Sequence, residues 1–458
     1  MKAADVRVPH ARLVVAMTAV VACAAILWLA RGFSFYFDEW TVILPADTSW
    51  TIYLQPHNEH PAMLLRLIYA LLLNTVGMRS YVPYMAVLLA LHATTAVLLF
   101  ELVRRRAGDL IGIAAAALLL VMGAAWENLL WAFQIGFVGS VACGLGALLM
   151  LNPSGSPLPR EARDASLAGP PHGVGRKSAA MLLLFASLMF SGIGVFFLIA
   201  AAVWLALTPE RRKDAAWLAP VAIALVIWYF AYGRSGAPPA PTSLAGNLAV
   251  LPLYTVWGLG ASVAGLIGEG GWFGPVLLLV ALAALGISWR RRRPDGFAIG
   301  IAAALLAFYI VLGLNRAQLG YQQSGSGRYV YEGAVFWLLL LAGAARDLPW
   351  RGTWRPALVA CVFLACFNSG VLLYAYSAAK TEQMLREAAD LQALAAERGD
   401  PCLDPNAAVD PLVMPQVTSP PAYYTAVDRY GDPAAGTPVV RGPDFDRARM
   451  NLLKPGCP

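Results

Sequence analysis

The sequence predicts an all-α polytopic membrane protein, with about eleven transmembrane helices, interfacial helices on the outer face and a small extracytoplasmic C-terminal tail. Three observations predict it. Of 458 residues, 59% are hydrophobic and only 13% charged, with a mean hydropathy of +0.61. A soluble domain carries about 25% charged residues, so a bilayer has to take up this much apolar surface. Apolar segments of spanning length also alternate with short basic clusters, and those clusters fall on alternate loops.

The first span is Leu13 to Ala30, 18 residues without a charge. That is long enough to cross hydrocarbon, and the triplet directly before Arg31, Trp28-Leu29-Ala30, is not a small-x-small site, so it reads as an uncleaved helix. Tyr81 to Val103 returns and stops at Arg104, Arg105 and Arg106. Ile111 to Ala125 goes out and Ile135 to Leu151 comes back. Residues 152–177 are a Pro/Gly/Ser-rich cytoplasmic linker ending in Arg176 and Lys177. Met181 to Phe190 and Val195 to Leu207 form a hairpin around "SGIG", closed by Arg211, Arg212 and Lys213. Ala215 to Tyr232, Val276 to Trp289, Phe297 to Leu314, Val330 to Ala345 and Ala357 to Tyr374 complete the set.

The positive-inside rule orients the chain. Of 34 Lys and Arg, 20 fall on the side of the N terminus, six in short loops of the other face and eight in the tail. The N terminus is therefore expected in the cytoplasm and the tail outside. The expected setting is the plasma (inner) membrane. Two apolar segments, Met63 to Val76 and Leu248 to Ile267, lie between outer-face features. Counting either as a crossing would invert every later basic cluster, so both read as helices on or dipping into the outer interface. The net charge of +7 sits in loops and does not point to nucleic acid.

This divides the chain into a transmembrane region, residues 1–376, with residues 31–80 as its first outer loop, and an extracytoplasmic appendage, residues 377–458. The appendage opens with "TEQMLREAADLQALAAERGD" and has 11 prolines between Pro401 and Pro458. Cys402 and Cys457 bracket it, and in an oxidising compartment such a pair forms a disulfide. Two free thiols in a loose tail are the alternative.

Polar residues gather at the outer ends of different spans. "FSFYFDEWTV" places Asp38 and Glu39 just beyond the first span, and His57, Glu59 and His60 follow in the same loop. "WENLLWAFQ" supplies Glu127 and Gln134. "NRAQLGYQQSGSGRYVY" supplies Arg316, Tyr321, Arg328 and Tyr329. Ionisable groups at membrane depth are costly and read as functional. A carboxylate there takes a proton from a hydroxyl nucleophile, or is a solvated loop acid. The arginines match phosphate oxygens bidentately, or snorkel at the interface. A lone His-x-x-His in a loop is weak metal spacing, so substrate binding or a structural role is expected of it and no metal ligands are assigned.

In this order the features resemble the GT-C glycosyltransferases, whose branches include protein O-mannosyltransferases and lipid A aminoarabinose transferases. The residues are "FDEW", then "NEHPAMLLRLIYALLLNTVG", then "MRSYVPYMAVLLALHATTAVLLFELVRRRAG". The resemblance covers about the first 210 residues, is looser to about 345 and is absent from the tail. "EHPA" departs from the family's His-Pro-Pro. The resemblance implies a polyprenyl-phosphate-linked sugar donor drawn from the membrane lipid and used on the outer face. It implies transfer to a hydroxyl of a glycan, lipid or protein acceptor, with Asp38 as the base and Glu39 an auxiliary acid. Sugar, acceptor and any divalent-metal requirement are not readable. A transporter or flippase-like protein would place polar groups near mid-membrane in repeated halves, and a non-catalytic subunit would keep the fold alone. The polar groups here sit at one rim.

Overall fold

With no water in the bilayer core, each segment must satisfy its own backbone N–H and C=O groups, and apolar runs become helices. The computed structural model describes residues 1–44, 49–152, 174–236, 243–435 and 441–457. Asp47 and most of the expected linker, 153–173, lie outside the described residues. The described chain is all-α, without a strand. Its helices are α1 (Ala11–Leu29), α2 (Glu39–Ile43), α3 (Met63–Thr75), α4 (Val82–Ala107), α5 (Asp109–Leu120) and α6 (Trp126–Leu130). Then come α7 (Ile135–Leu151), α8 (Val174–Phe190), α9 (Gly194–Ala206), α10 (Ala219–Ala231), α11 (Leu244–Gly265) and α12 (Gly274–Arg291). The series closes with α13 (Gly296–Arg316), α14 (Gly327–Ala345), α15 (Trp354–Ala396), α16 (Pro420–Tyr430) and α17 (Pro443–Leu452).

Among the described residues, 8 helices are long and apolar enough to cross a membrane, or up to 9 if the pair Asp109–Leu120 and Gly123–Leu130, bent by 45°, is one span. The protein is thus a multi-pass membrane protein. Helices α1, α10 and α15 turn Leu13, Val20, Ile223, Phe230 and Phe363 outward, each more than half exposed. Lipid is the natural solvent for such faces. Helix α7 lies deepest and packs along α8, α4 and α9. Lipid is as apolar as leucine, so close approach and polar pairs hold such helices together. Gly144 lets the Phe197 ring sit against the α7 backbone, where any side chain would collide with it. Ser140 and Ser187 each donate a hydroxyl to the other's carbonyl, at 2.8 and 2.7 Å.

The basic clusters meet at one end of the bundle. Lys2 and Arg292 both pair with Asp347, at 2.7 and 3.1 Å, and Arg106 pairs with Asp295 at 2.6 Å. Arg105 and Arg211 donate to the carbonyls of Asn152 and Leu151, at 3.0 and 2.7 Å. Lys177, expected in the linker, lies in α8 and pairs with Asp214 at 2.6 Å.

Helix α11 has Pro252 in its interior. Its first turn is bonded from Asn247 to the Leu314 carbonyl at 2.8 Å. Just past its other end, the carbonyls of Ile267 and Gly268 accept from Asn368, at 3.1 and 3.0 Å.

The expected boundary near residue 376 is not a break in the chain. Helix α15 runs 43 residues without interruption, about 65 Å at 1.5 Å per residue. That is about twice the hydrocarbon thickness, so its second half stands clear and carries the appendage. Cys402 and Cys457 are disulfide-bonded across a Cα–Cα distance of 6.0 Å, and Leu403 pairs with Leu453 beside them. The appendage docks back on the segment between α1 and α4. Met78 donates its N–H to the Tyr430 carbonyl at 2.8 Å, Arg429 bonds Asn74 at 3.2 Å, and the Trp40 and Tyr423 rings lie 5.7 Å apart.

The disulfide closes a sequence separation of 55 residues, which corresponds to about 4 kcal/mol in the chain-entropy account. Replacing Cys402 and Cys457 together by serine is expected to raise amide exchange in α16 and α17 by at least tenfold, with α4 and α7 unchanged. Hydrogen-exchange mass spectrometry measures both regions in one digest. Equal protection of α16 and α17 in the two proteins would remove the disulfide as their anchor.

Candidate functional site

The end opposite the basic clusters holds the predicted residues. Here the chain turns through Phe37, whose φ of +52° is rare for a bulky residue. Asp38 follows at the start of α2. Its Oδ2 lies 3.5 Å from His57 Nε2 and its Oδ1 accepts from Gln416 Nε2 at 3.4 Å. Both contacts are long. His57 Nε2 is buried and has no hydrogen-bond partner.

Glu39 goes the other way and is fully buried. Its Oε1 accepts from the hydroxyls of Tyr69 at 2.5 Å and Tyr81 at 3.0 Å, and its Oε2 from the Tyr36 N–H at 2.9 Å. Tyr81 in turn accepts the Ala132 N–H at 2.8 Å. Glu39, expected as an auxiliary acid, therefore does not share a face with Asp38. It fixes the loop that carries Asp38. Burial pushes its carboxyl up to about 7, against the tyrosine and backbone hydrogen bonds that favour the charged form.

His57 and His60 close a tight turn, each N–H bonded to the other's carbonyl at 2.9 and 3.0 Å, with Asn58 at a φ of +51°. The Phe133 ring lies edge-on to His57 with centroids 5.0 Å apart. His60 sits over Gly192 of the "SGIG" turn, where a Cβ would fall 2.7 Å from its Nδ1. Desolvation, with the Arg316 charge beside it, pushes His60 down to about 4, so it stays neutral near pH 7. Arg66 ties the same loop by donating to the carbonyls of Ile52 and Gln55.

Two arginines face the site from the α13–α14 region. Arg316 donates to Tyr329 Oη and to Glu59 Oε2, both at 2.8 Å. Arg328 pairs with Glu127 Oε1 at 3.0 Å, and Glu127 Oε2 accepts the Arg328 backbone N–H at 2.9 Å. Each guanidinium carbon lies 5.9 Å from the centre of the Tyr329 ring. Arg328 is 5.8 Å from the Trp131 ring, which stacks on Phe133 at 5.3 Å. An aromatic wall thus runs from Arg328 to His57 and Asp38. Arg328 Nε, Glu59 Oε1, Trp131 Nε1 and Gln134 Oε1 are all buried without a hydrogen-bond partner. Unpaired buried polar atoms are unusual, and their gathering along one wall marks a place built for more than packing.

Two cavities flank this wall. One, of ≈ 310 Å³, lies between Trp126, Glu127, the Gly325–Gly327 turn, Glu269 and Tyr376. The other, of ≈ 170 Å³, has His60, Arg316 and Tyr329 at its polar end and Phe137, Phe196 and Phe308 below. Tyr321 does not join them. Its ring packs edge-on against Trp257 at 5.2 Å. Among the described residues no group of three His, Cys, Asp or Glu side chains converges as a metal site.

Sequence reasoning missed three members. Lys380 Nζ lies 2.7 Å from the centre of the Tyr36 ring, although it reads as the first charge of the appendage. Glu332 is fully buried one turn into α14 and accepts from Asn128 at 3.0 Å. Gln416 comes from a proline-rich stretch with no periodic signal. No family model, no curated protein and no solved structure matches the chain.

Glu39 supplies a pH test. A carboxyl raised in the folded state holds its proton more tightly there than in the unfolded chain. Its contribution is complete below about pH 4.5 and is lost as pH rises to about 7, a change of about 3 kcal/mol. The melting midpoint in detergent is expected to fall between pH 5 and 7.5, and Glu39→Gln to flatten that dependence. An unchanged slope in Glu39→Gln would assign it to another group.

Proposed function

We propose that the chain is a GT-C-like glycosyltransferase that moves a sugar from a polyprenyl-phosphate donor to a hydroxyl acceptor on the outer face of the plasma (inner) membrane. The observation that carries this reading is the single rim. Asp38, with its long unsaturated contacts, and two guanidiniums, one with a free buried Nε–H, border the same aromatic wall. The order of the motifs supports the family.

In this mechanism the acceptor hydroxyl gives its proton to Asp38 as its oxygen attacks the anomeric carbon. The bond from that carbon to the phosphate oxygen breaks, and the lipid phosphate leaves with the electron pair. Arg328, helped by Arg316, stabilises the charge that grows on the phosphate. Glu127 and Glu59 hold the two guanidiniums in place. The small cavity, apolar below and cationic at its rim, suits the junction of an isoprenoid chain with its phosphate.

The topology follows the same reading: eleven crossings, basic clusters in the cytoplasm and the appendage outside. In this reading helix α11, although long and apolar enough to cross, lies at the outer interface, a placement supported by the Asn247 bond to the Leu314 carbonyl near the end of α13. Helix α3 lies against α8 on that side as well.

Asp38→Asn is expected to fold and insert normally while turnover falls by about 10²-fold or more. Mass spectrometry of envelope glycans and lipids from a deletion strain, complemented with either protein, measures the loss. Full restoration by Asp38→Asn would take Asp38 out of the mechanism.

A phosphate clamp also tells guanidinium from ammonium. Arg328→Lys should weaken binding of undecaprenyl phosphate in nanodiscs about tenfold or more, while Arg79→Lys on the exposed loop should not. Wild-type affinity in both Arg328→Lys and Arg328→Ala would place the phosphate elsewhere.

A further inference from the structure

Besides Lys380 on the Tyr36 ring, the appendage sends Gln416 to Asp38 itself. Its loop is closed at the base by the Val409 N–H on the Val417 carbonyl at 3.2 Å. Inside, the buried Asp410 carboxylate accepts the N–H groups of Leu412 at 2.8 Å and Val413 at 3.2 Å. Its other oxygen takes Arg447 of α17 at 2.7 Å, and α17 leads on to the Cys402–Cys457 disulfide. The loop is therefore a rigid arm. Next to the closing residue Val417, Gln416 Nε2 donates to Asp38 Oδ1, across 378 residues of sequence.

Gln416 Oε1 is buried and has no hydrogen-bond partner. On the other side of the same carboxylate, His57 Nε2 is also buried and unbonded. Asp38 is thus flanked by an acceptor oxygen and a ring nitrogen, both unfilled. A buried amide oxygen left unpaired costs about 1–3 kcal/mol, which a hydroxyl donor at this place would recover.

We propose that Gln416 is a positioning residue of this centre: its N–H holds Asp38, and its Oε1 accepts a hydroxyl of the acceptor substrate. The appendage then supplies part of the acceptor site instead of serving only as a cover. The inference rests on the transferase reading above and adds the residue that seats the acceptor. It also favours an acceptor with neighbouring hydroxyls, such as a glycan, since Asp38 and Gln416 offer adjacent oxygens to two O–H donors.

The test uses the full-length protein in nanodiscs. The donor is the polyprenyl-phosphate-sugar fraction extracted from host membranes, and the acceptor is the envelope polysaccharide isolated from a deletion strain. Gln416→Leu, which removes both functions, is expected to raise the acceptor KM about tenfold and to lower kcat. Gln416→Glu keeps acceptor oxygens but loses the N–H and sets a like charge beside Asp38, so kcat should fall with a smaller change in acceptor KM. The donor KM should stay the same in both. If both variants match the wild type in kcat and acceptor KM per folded molecule, with only a lower melting midpoint, Gln416 is a structural contact and the proposal fails. In that case wild-type turnover that Asp38→Asn abolishes still leaves the transferase reading standing. Absence of wild-type turnover from these substrates overturns both.

Discussion

The rim of this protein depends on one buried carboxylate. Glu39 has no solvent to lean on, and an uncompensated carboxylate at such a depth is prohibitive. Its oxygens are instead met by the Tyr36 N–H in the first loop, Tyr69 on α3 and Tyr81 at the start of α4. Tyr81 then reaches Ala132, before α7. Four separate segments are tied by a network centred on a single side chain. Fully satisfied buried networks fix one arrangement and penalise others. Asp38, the next residue, inherits its position from this anchor.

The two arginines are held by a comparable device. A guanidinium in a partly desolvated place needs a counter-charge, and breaking such a pair leaves an exposed cost. Glu127 serves both the side chain and the backbone of Arg328, so the start of α14 and its cation are set together. Glu59 lies beside His60, and Arg316 spans from it to Tyr329. Neither guanidinium is spent on its partner alone. Arg328 Nε in particular still points to no acceptor.

Much of the fold is legible in the sequence, because spans and basic clusters report directly on the bilayer. The rim residues are legible as a group, since polar side chains beside apolar spans stand out. Which of them work together is not. Asp38 and Glu39 are neighbours in sequence, yet only packing against three tyrosines decides that one is buried and the other is not. Tyr321 belongs by sequence to the arginine loop and by structure to the far face of it, against Trp257. Lys380 and Gln416 enter the site from a region whose composition says only that it is extramembranous. Their placement comes from α15 continuing unbroken past the bilayer, and a helix with mixed polarity does not announce how far it runs.

The contact between Gln416 and Asp38 has a consequence for biosynthesis. Chains emerge at about 5–20 residues per second. The 378 residues between the two positions thus separate their appearance by about 20–80 seconds. From the emergence of Ala132 onward the loop between α1 and α4 has every partner of its Glu39 anchor, while the appendage loop does not yet exist. A nascent chain held at this stage has a membrane-embedded body and an open, unfinished rim. Maturation is therefore a late event, set by when the appendage folds and closes its disulfide and not by when the helices insert.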